Sequence, residues 1–288
     1  MKKIYPTILA AAVAVIALFT SSCGSRSQQP VYNGKPVSEW VSDLNYNNPE
    51  ATRDQAAEAI LHIGTNALPF LLKEISDLSE LYQKVGTTNF YNSQEATARL
   101  SNVHEAFKTL GPIAKPAVPA LVDLLNGGYT AFPAAFALTQ IDPQAAAIAL
   151  TQALTNKIIY VRIAAADELF EVRSNADIAL AVPNLVQCLK YEQSSRDSTE
   201  EVTALKGISA DTLGVIHAQP DIAVLALAEA LSNKDYRVRF EAARALSKFG
   251  KHAQPAVPIL QQIAKDDPNQ KFRILATNVL QIIITNSP

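Results

Sequence analysis

One spacing constrains this chain more than any other feature. Gly64, Gly111, Asp142, Arg173, His217, Gly250 and Ile284 each end a helical stretch, and they stand 47, 31, 31, 44, 33 and 34 residues apart. Four residues before these anchors come Ile60, Phe107, Leu138, Leu169, Leu213, Leu246 and Leu280. Seven and eight before them come small pairs: Ala56/Ala57, Ala134/Ala135, Ala165/Ala166, Ser209/Ala210, Ala242/Ala243 and Ala276/Thr277. Residues three and four apart share a helix face, so each unit carries one apolar stripe. The small residues let neighbouring helices approach, and Leu or Phe fills the layer between them. A second helix follows each turn, with Pro69, Pro119, Pro183 and Pro258 near its start, where a missing N–H does least harm. No stretch sustains a two-residue alternation, so strands are expected to be essentially absent. A unit of this length cannot bury its stripe alone and must stack on its neighbours. Two polar insertions, 76–93 and 191–199, account for the long intervals.

The N-terminus reads as an address. Lys2 and Lys3 precede an apolar run over 8–19, and Thr20-Ser21-Ser22-Cys23 follows. The run is too short to span a bilayer, which takes about 20 residues. This segment resembles a bacterial lipoprotein signal, although Thr20 stands where that motif usually has Leu. The resemblance implies removal of residues 1–22, a lipid on Cys23, and a chain held at the cell envelope, in the periplasm or on the outer surface. An ordinary cleaved secretory signal or an uncleaved anchor are the alternatives. The small, polar, Pro-containing residues 23–37 read as a flexible tether, and 38–288 as the folded domain.

Asp235-Tyr236-Arg237-Val238-Arg239-Phe240-Glu241-Ala242-Ala243-Arg244-Ala245-Leu246 resembles the HEAT-repeat family, including the short repeats of phycobilisome-lyase-type proteins. The resemblance covers about 38–284. It implies an all-α fold, an α-α superhelix of about seven helix pairs that binds other macromolecules along a curved face. A basic column belongs to it: Arg53, Arg162, Lys206, Arg239 and Arg273, eleven residues before their anchors. A cationic ladder for phosphates is one reading. A structural role is favoured, in which the stem packs along the stripe and the head reaches a turn carboxylate or amide, such as Asp235 for Arg239 or Asp267 for Arg273.

Function is expected on the opposite, concave side. Six residues before the anchors stand Glu58, Glu105, Phe136, Asp167, Asp211, Arg244 and Asn278, with Glu171 one turn beyond Asp167. A row of carboxylates along a groove raises the local concentration of basic partners; the plainer reading is a solvated helix face. The 76–93 insertion is the second candidate, because Leu78, Leu81, Tyr82, Phe90 and Tyr91 give it aromatic weight. It acts either as an exposed anchor or as a lid over the first repeats. Trp40 is expected to cap the open N-terminal end of the core, behind an N-cap at Ser38. The apolar Ile282-Ile283-Ile284 suggests packing against a second copy or a partner.

Composition removes other classes. With 25 Lys+Arg against 27 Asp+Glu, the chain lacks the basic excess of a nucleic-acid binder. Two cysteines cannot build a disulfide framework, and Cys188 reads as a small buried hydrophobe. His104-Glu105-Ala106-Phe107-Lys108 begins like a zincin motif but has Lys where the second ligand must stand. No phosphate-binding or nucleophile-elbow motif occurs, so neither a cofactor nor a metal is expected. The expected function is a non-catalytic, protein-binding scaffold exported to the cell envelope. The alternative is a HEAT-like lyase holding a chromophore in a cleft lined by Tyr82, Phe90, Phe136 and Asp167. Handling of DNA, as in HEAT-like alkylpurine glycosylases, is opposed by the export signal and the acidic row.

Overall fold

A computed structural model describes residues 29–172 and 176–285, with side chains outside 85–92 and 176–177. The signal segment with Cys23, the anchor Arg173, and the Phe90 and Tyr91 side chains therefore lie outside the described residues.

The fold is an α-solenoid of two helix layers. The A layer holds α2 (Glu50–Ile63), α4 (Gln94–Leu110), α6 (Ala131–Ile141), α8 (Ile159–Glu168), α10 (Thr199–Ile216), α12 (Tyr236–Phe249) and α14 (Gln270–Thr285). The B layer holds α3 (Leu68–Asn92), α5 (Val118–Leu125), α7 (Pro143–Ala153), α9 (Val182–Leu189), α11 (Pro220–Ala230) and α13 (Val257–Asp266). A short α1 (Val37–Asp43) precedes them. Each A helix packs on the next, and Ile60, Phe107, Leu138, Leu169, Leu213 and Leu246 are all fully buried between them. Leu280, at the open end, is half-buried.

Local chemistry sets the helix ends. Gly64, Gly111 and Gly250 adopt positive φ (59°, 48° and 50°), and His217 is left-handed at 51°. This reversal needs little side-chain bulk, which is why glycine fills three of the four anchors at positive φ. Ser93, Asp142 and Asp235 accept from backbone N–H groups at the starts of α4, α7 and α12, and Ser198 with Glu201 forms a reciprocal capping box on α10.

Three details differ from the sequence expectation. Residues 29–37, read as tether, carry an antiparallel hairpin of β1 (Val31–Tyr32) and β2 (Lys35–Pro36), turned by Asn33-Gly34 at positive φ. The hairpin closes the first repeat: Trp40 Nε1 donates to the Tyr32 carbonyl at 3.1 Å, Tyr32 stacks on His62 with ring centroids 4.9 Å apart, and Val37 is fully buried. Helix α1 consequently begins at Val37 with Pro36 as N-cap, so Ser38 lies inside the first turn. The 76–93 insertion is no loop, because α3 runs on through Asn92. The reason is a stripe of Leu71, Ile75, Leu78 and Tyr82, all buried, which continues one face past the polar residues. The 191–199 insertion is irregular, gathered around Asp197, which accepts from Tyr191 Oη at 2.7 Å and Ser194 Oγ at 2.6 Å.

The basic column reaches the inter-repeat turns through backbone oxygens rather than through the Asp235 and Asp267 carboxylates. Arg162 Nε donates to the Asn156 carbonyl at 2.5 Å, Arg239 to Asn233 at 3.0 Å and Arg273 to Asp267 at 2.7 Å, each six residues back. These are backbone oxygens of the inter-repeat turn. The Asp235 carboxylate is already engaged as N-cap and accepts the Thr203 hydroxyl at 3.0 Å. Arg53 Nε is buried without a hydrogen-bond partner among the described residues, and Lys206 is held below its usual range by burial and by Lys234.

Candidate protein-binding face

A residue two positions from the buried Leu column points away from the stripe, and the six-before column accordingly reaches solvent along the whole A layer. Glu58 and Asp167 are exposed, and Glu105, Phe136 and Asp211 are half-buried. The carboxylates are not equivalent. Glu58 faces His62 at 3.9 Å, Glu105 pairs with Lys108 at 3.3 Å, and Asp211 pairs with Lys248 of the next repeat at 2.8 Å. Among the described residues Asp167 and Glu171 have no ion-pair partner.

Their neighbour Glu168 completes a run of three carboxylates at the end of α8. Its side chain accepts the Thr139 hydroxyl at 3.4 Å. Burial, then the charges of Asp167 and Glu171, push its pKa up to about 7; Asp167 is raised as well, by partial desolvation of its carboxylate on an otherwise exposed residue and by Glu171. Sequence reasoning passed over Glu168 because it sits one position from the solvent column. The signal available was three acids at i, i+1 and i+4 with no base among them. Among the described residues no three His, Cys, Asp or Glu side chains are grouped to hold a metal.

The Glu168 environment has a testable sign. Its pKa is raised above the ordinary 4.5, so the fold holds a proton that the unfolded chain releases between pH 4.5 and 7. This contribution is fully present below pH 4.5 and is lost as pH rises through 7. Glu168→Gln is therefore expected to melt with wild type at pH 4 and above it at pH 8, read by circular dichroism. His104, whose pKa burial lowers to about 4, opposes this by losing stability as pH falls from 6.5 toward 4. It is common to both proteins and leaves the difference intact. The His104 ring stacks on Phe136 at 4.1 Å, with Nε2 buried and unpartnered among the described residues.

Between α8, α10 and α12 the face opens into a groove of about 290 Å³. Asp167 and Phe170 form one wall, Gly207, Ile208 and Asp211 lie on α10, and Arg237 and Glu241 form the other wall.

The aromatic candidate sits elsewhere. Tyr82 is buried against Tyr129 (4.4 Å) and Tyr160 (6.2 Å), and its hydroxyl lies 3.2 Å from that of Tyr160. The cleft beside it, lined also by Leu78, Leu100 and Phe132, measures about 30 Å³, room for a water. Tyr82 thus lines a different cleft from Asp167, and Phe136 lines neither of the two. Trp40 is half-buried under Lys35, whose Nζ lies 4.3 Å from its ring. On α14, Ile274, Ile282 and Ile284 are exposed, interspersed with exposed Asn278, Gln281 and Thr285. Cys188 is fully buried and its thiol is pushed up to about 11 by burial.

Residues 203–281 match the family of HEAT repeats. This part of the chain carries HEAT repeats. The matched HEAT segment covers α10 through most of α14 and includes the α10–α12 side of the groove. Among solved structures, a mutant of the karyopherin Kap121p aligns with 86% of this chain and 30% of its own, at 12% identity and a TM-score of 0.57. Kap121p bound to the extreme C-terminus of the protein phosphatase Cdc14p aligns over the same shares at 13% identity and a TM-score of 0.55. An engineered protein aligns with 86% of this chain and 96% of its own, at 22% identity and a TM-score of 0.44. The chain thus spans about 30% of the karyopherin's length, and the karyopherin likeness is one of fold. No curated protein matches it.

Proposed function

We propose that this HEAT-repeat protein is a non-catalytic scaffold of the bacterial cell envelope, exported, lipid-anchored at Cys23, and binding a basic protein segment along its A-layer face. The observation that carries the reading is the solvent-facing row Glu58, Glu105, Asp167 and Asp211 in successive helices, with Phe136 among them. Acids repeated along one face attract a cationic chain at many points at once, which speeds encounter and multiplies weak contacts. Successive A helices contact one another more extensively than successive B helices. A stack bends toward its more closely packed layer, which favours this face as the concave one. The Kap121p structure holding the extreme C-terminus of another protein supports a chain segment as ligand for such a fold. The lipoprotein-like run ending in Ser21-Ser22-Cys23 supports the anchor.

Crosslinking in intact envelopes followed by mass spectrometry identifies the partner. Simultaneous Glu105→Lys, Asp167→Lys and Asp211→Lys is expected to weaken its capture at least tenfold, with the wild-type interaction itself weakening as salt is raised. Capture unchanged by the triple reversal would overturn the acidic-row reading. Cys23→Ser is expected to move the protein from the membrane fraction to the soluble one; retention in the membrane would overturn the lipid anchor.

A further inference from the structure

The groove between α8, α10 and α12 opens over a position that carries no side chain, Gly207. Ten residues before the seven anchors stand Asp54, Ser101, Phe132, Ile163, Gly207, Phe240 and Ile274, so four repeats place a large apolar side chain here and the α10 repeat places none at all. Nothing in the fold requires that glycine. A Cβ there would meet only Glu241 Cγ at 3.9 Å, an ordinary separation, while Gly214 on the same helix faces Ala245 Cα at 2.8 Å. A glycine inside a helix is destabilising relative to alanine, so α10 carries an unfavourable residue that packing does not explain. Its effect is to leave the bottom of the groove open for something to approach the backbone.

The lining says what that is. Phe170 and Ile208 offer apolar walls. Of the charged groups, Asp211 is paired with Lys248 at 2.8 Å, Glu241 with Arg244 at 2.7 Å, and Arg237 lies 3.7 Å from Asp235. Asp167 alone of the lining acids has no such partner among the described residues, and Glu168 and Glu171 stand beside it. The negative charge left uncompensated is therefore at the α8 wall. At about 290 Å³ the groove takes one long side chain and not a helix. We propose that it receives a single lysine or arginine side chain of the bound protein, the stem lying over Gly207 between Phe170 and Ile208 and the charged head at Asp167. This rests on the protein-binding reading above and narrows it to one pocket. A long basic side chain, apolar along its stem and cationic at its end, matches both parts of the lining.

The test is titration of N-acetyl-lysine N-methylamide into the full isotopically labelled chain, followed by amide NMR. Saturable shifts are expected at Phe170, Gly207 and Ile208, and none with the norleucine analogue, which has the stem without the charge. Gly207→Leu, which refills the slot, is expected to abolish the shifts while melting no lower than wild type. Gly207→Ala keeps them. Asp167→Asn weakens them about tenfold and serves should the leucine variant fail to fold. Lysine shifts that persist in Gly207→Leu, equal binding of norleucine, or 1,5-diaminopentane binding more than tenfold tighter than the lysine amide would each overturn the assignment. Partner capture that is lost on charge reversal but untouched by Gly207→Leu would remove this pocket and leave the scaffold standing.

Discussion

Leu246→Ala is expected to destabilise the protein by about 2–5 kcal/mol, read by urea denaturation. Leu246 lies on α12 with none of its surface exposed, in the layer filled by Leu213 and Ile60 in other repeats. Truncation removes the transfer free energy of its methyl groups and leaves a cavity. Ala242 and Ala243, one turn back on the same helix face, are too small to fill it. Because each repeat buries its stripe only against its neighbours, the loss is expected to be local: hydrogen exchange should quicken in α10, α12 and α14 before α2 and α4. Glu105→Ala, whose side chain reaches solvent on the same layer, is expected to stay within about 0.5 kcal/mol. Equal losses for the two substitutions would overturn the division between buried spine and solvent face.

That division is the part of the fold that was legible in the sequence, because burial repeats at a fixed register and Ile60, Phe107, Leu138, Leu169, Leu213 and Leu246 carry it openly. The hairpin was not, since two-residue strands leave no periodicity; Asn33-Gly34 was its one signal. The extension of α3 was masked by polar composition, although Leu71, Ile75, Leu78 and Tyr82 already stand at helical spacing. The acceptors of Arg162, Arg239 and Arg273 are backbone carbonyls, which have no residue signature. Of the candidate site, the six-before acids could be read as a face, but the groove could not. It depends on an absent side chain at Gly207 and on where α8 and α12 come to rest against α10. Glu168 owes its environment to Thr139, 29 residues away in sequence.

The two glycines of α10 are expected to respond to the same substitution with opposite signs. A Cβ at Gly214 would lie 2.8 Å from Ala245 Cα and 2.9 Å from its Cβ, with Lys248 Cδ at 3.2 Å. The lysine stem can swing aside, but the α12 backbone cannot, so Gly214→Ala must push the two helices apart. Overpacking of this kind costs about 1–3 kcal/mol, more than the roughly 1 kcal/mol that alanine returns in helix propensity. The displacement also strains the Asp211–Lys248 pair that ties the same helices together. Ala245→Gly in the same chain should restore only part of the loss, because it removes the methyl clash while the new side chain still presses on the α12 backbone; a double-mutant cycle measures that coupling. At Gly207 the space is open, and Gly207→Ala is expected to stabilise by about 0.4–1 kcal/mol. Urea midpoints moving in opposite directions for two Gly→Ala changes on one helix separate a glycine held by helix packing from one that packing leaves unexplained. Midpoints moving together would remove both the close α10–α12 approach and the structural reason for assigning Gly207 to a ligand.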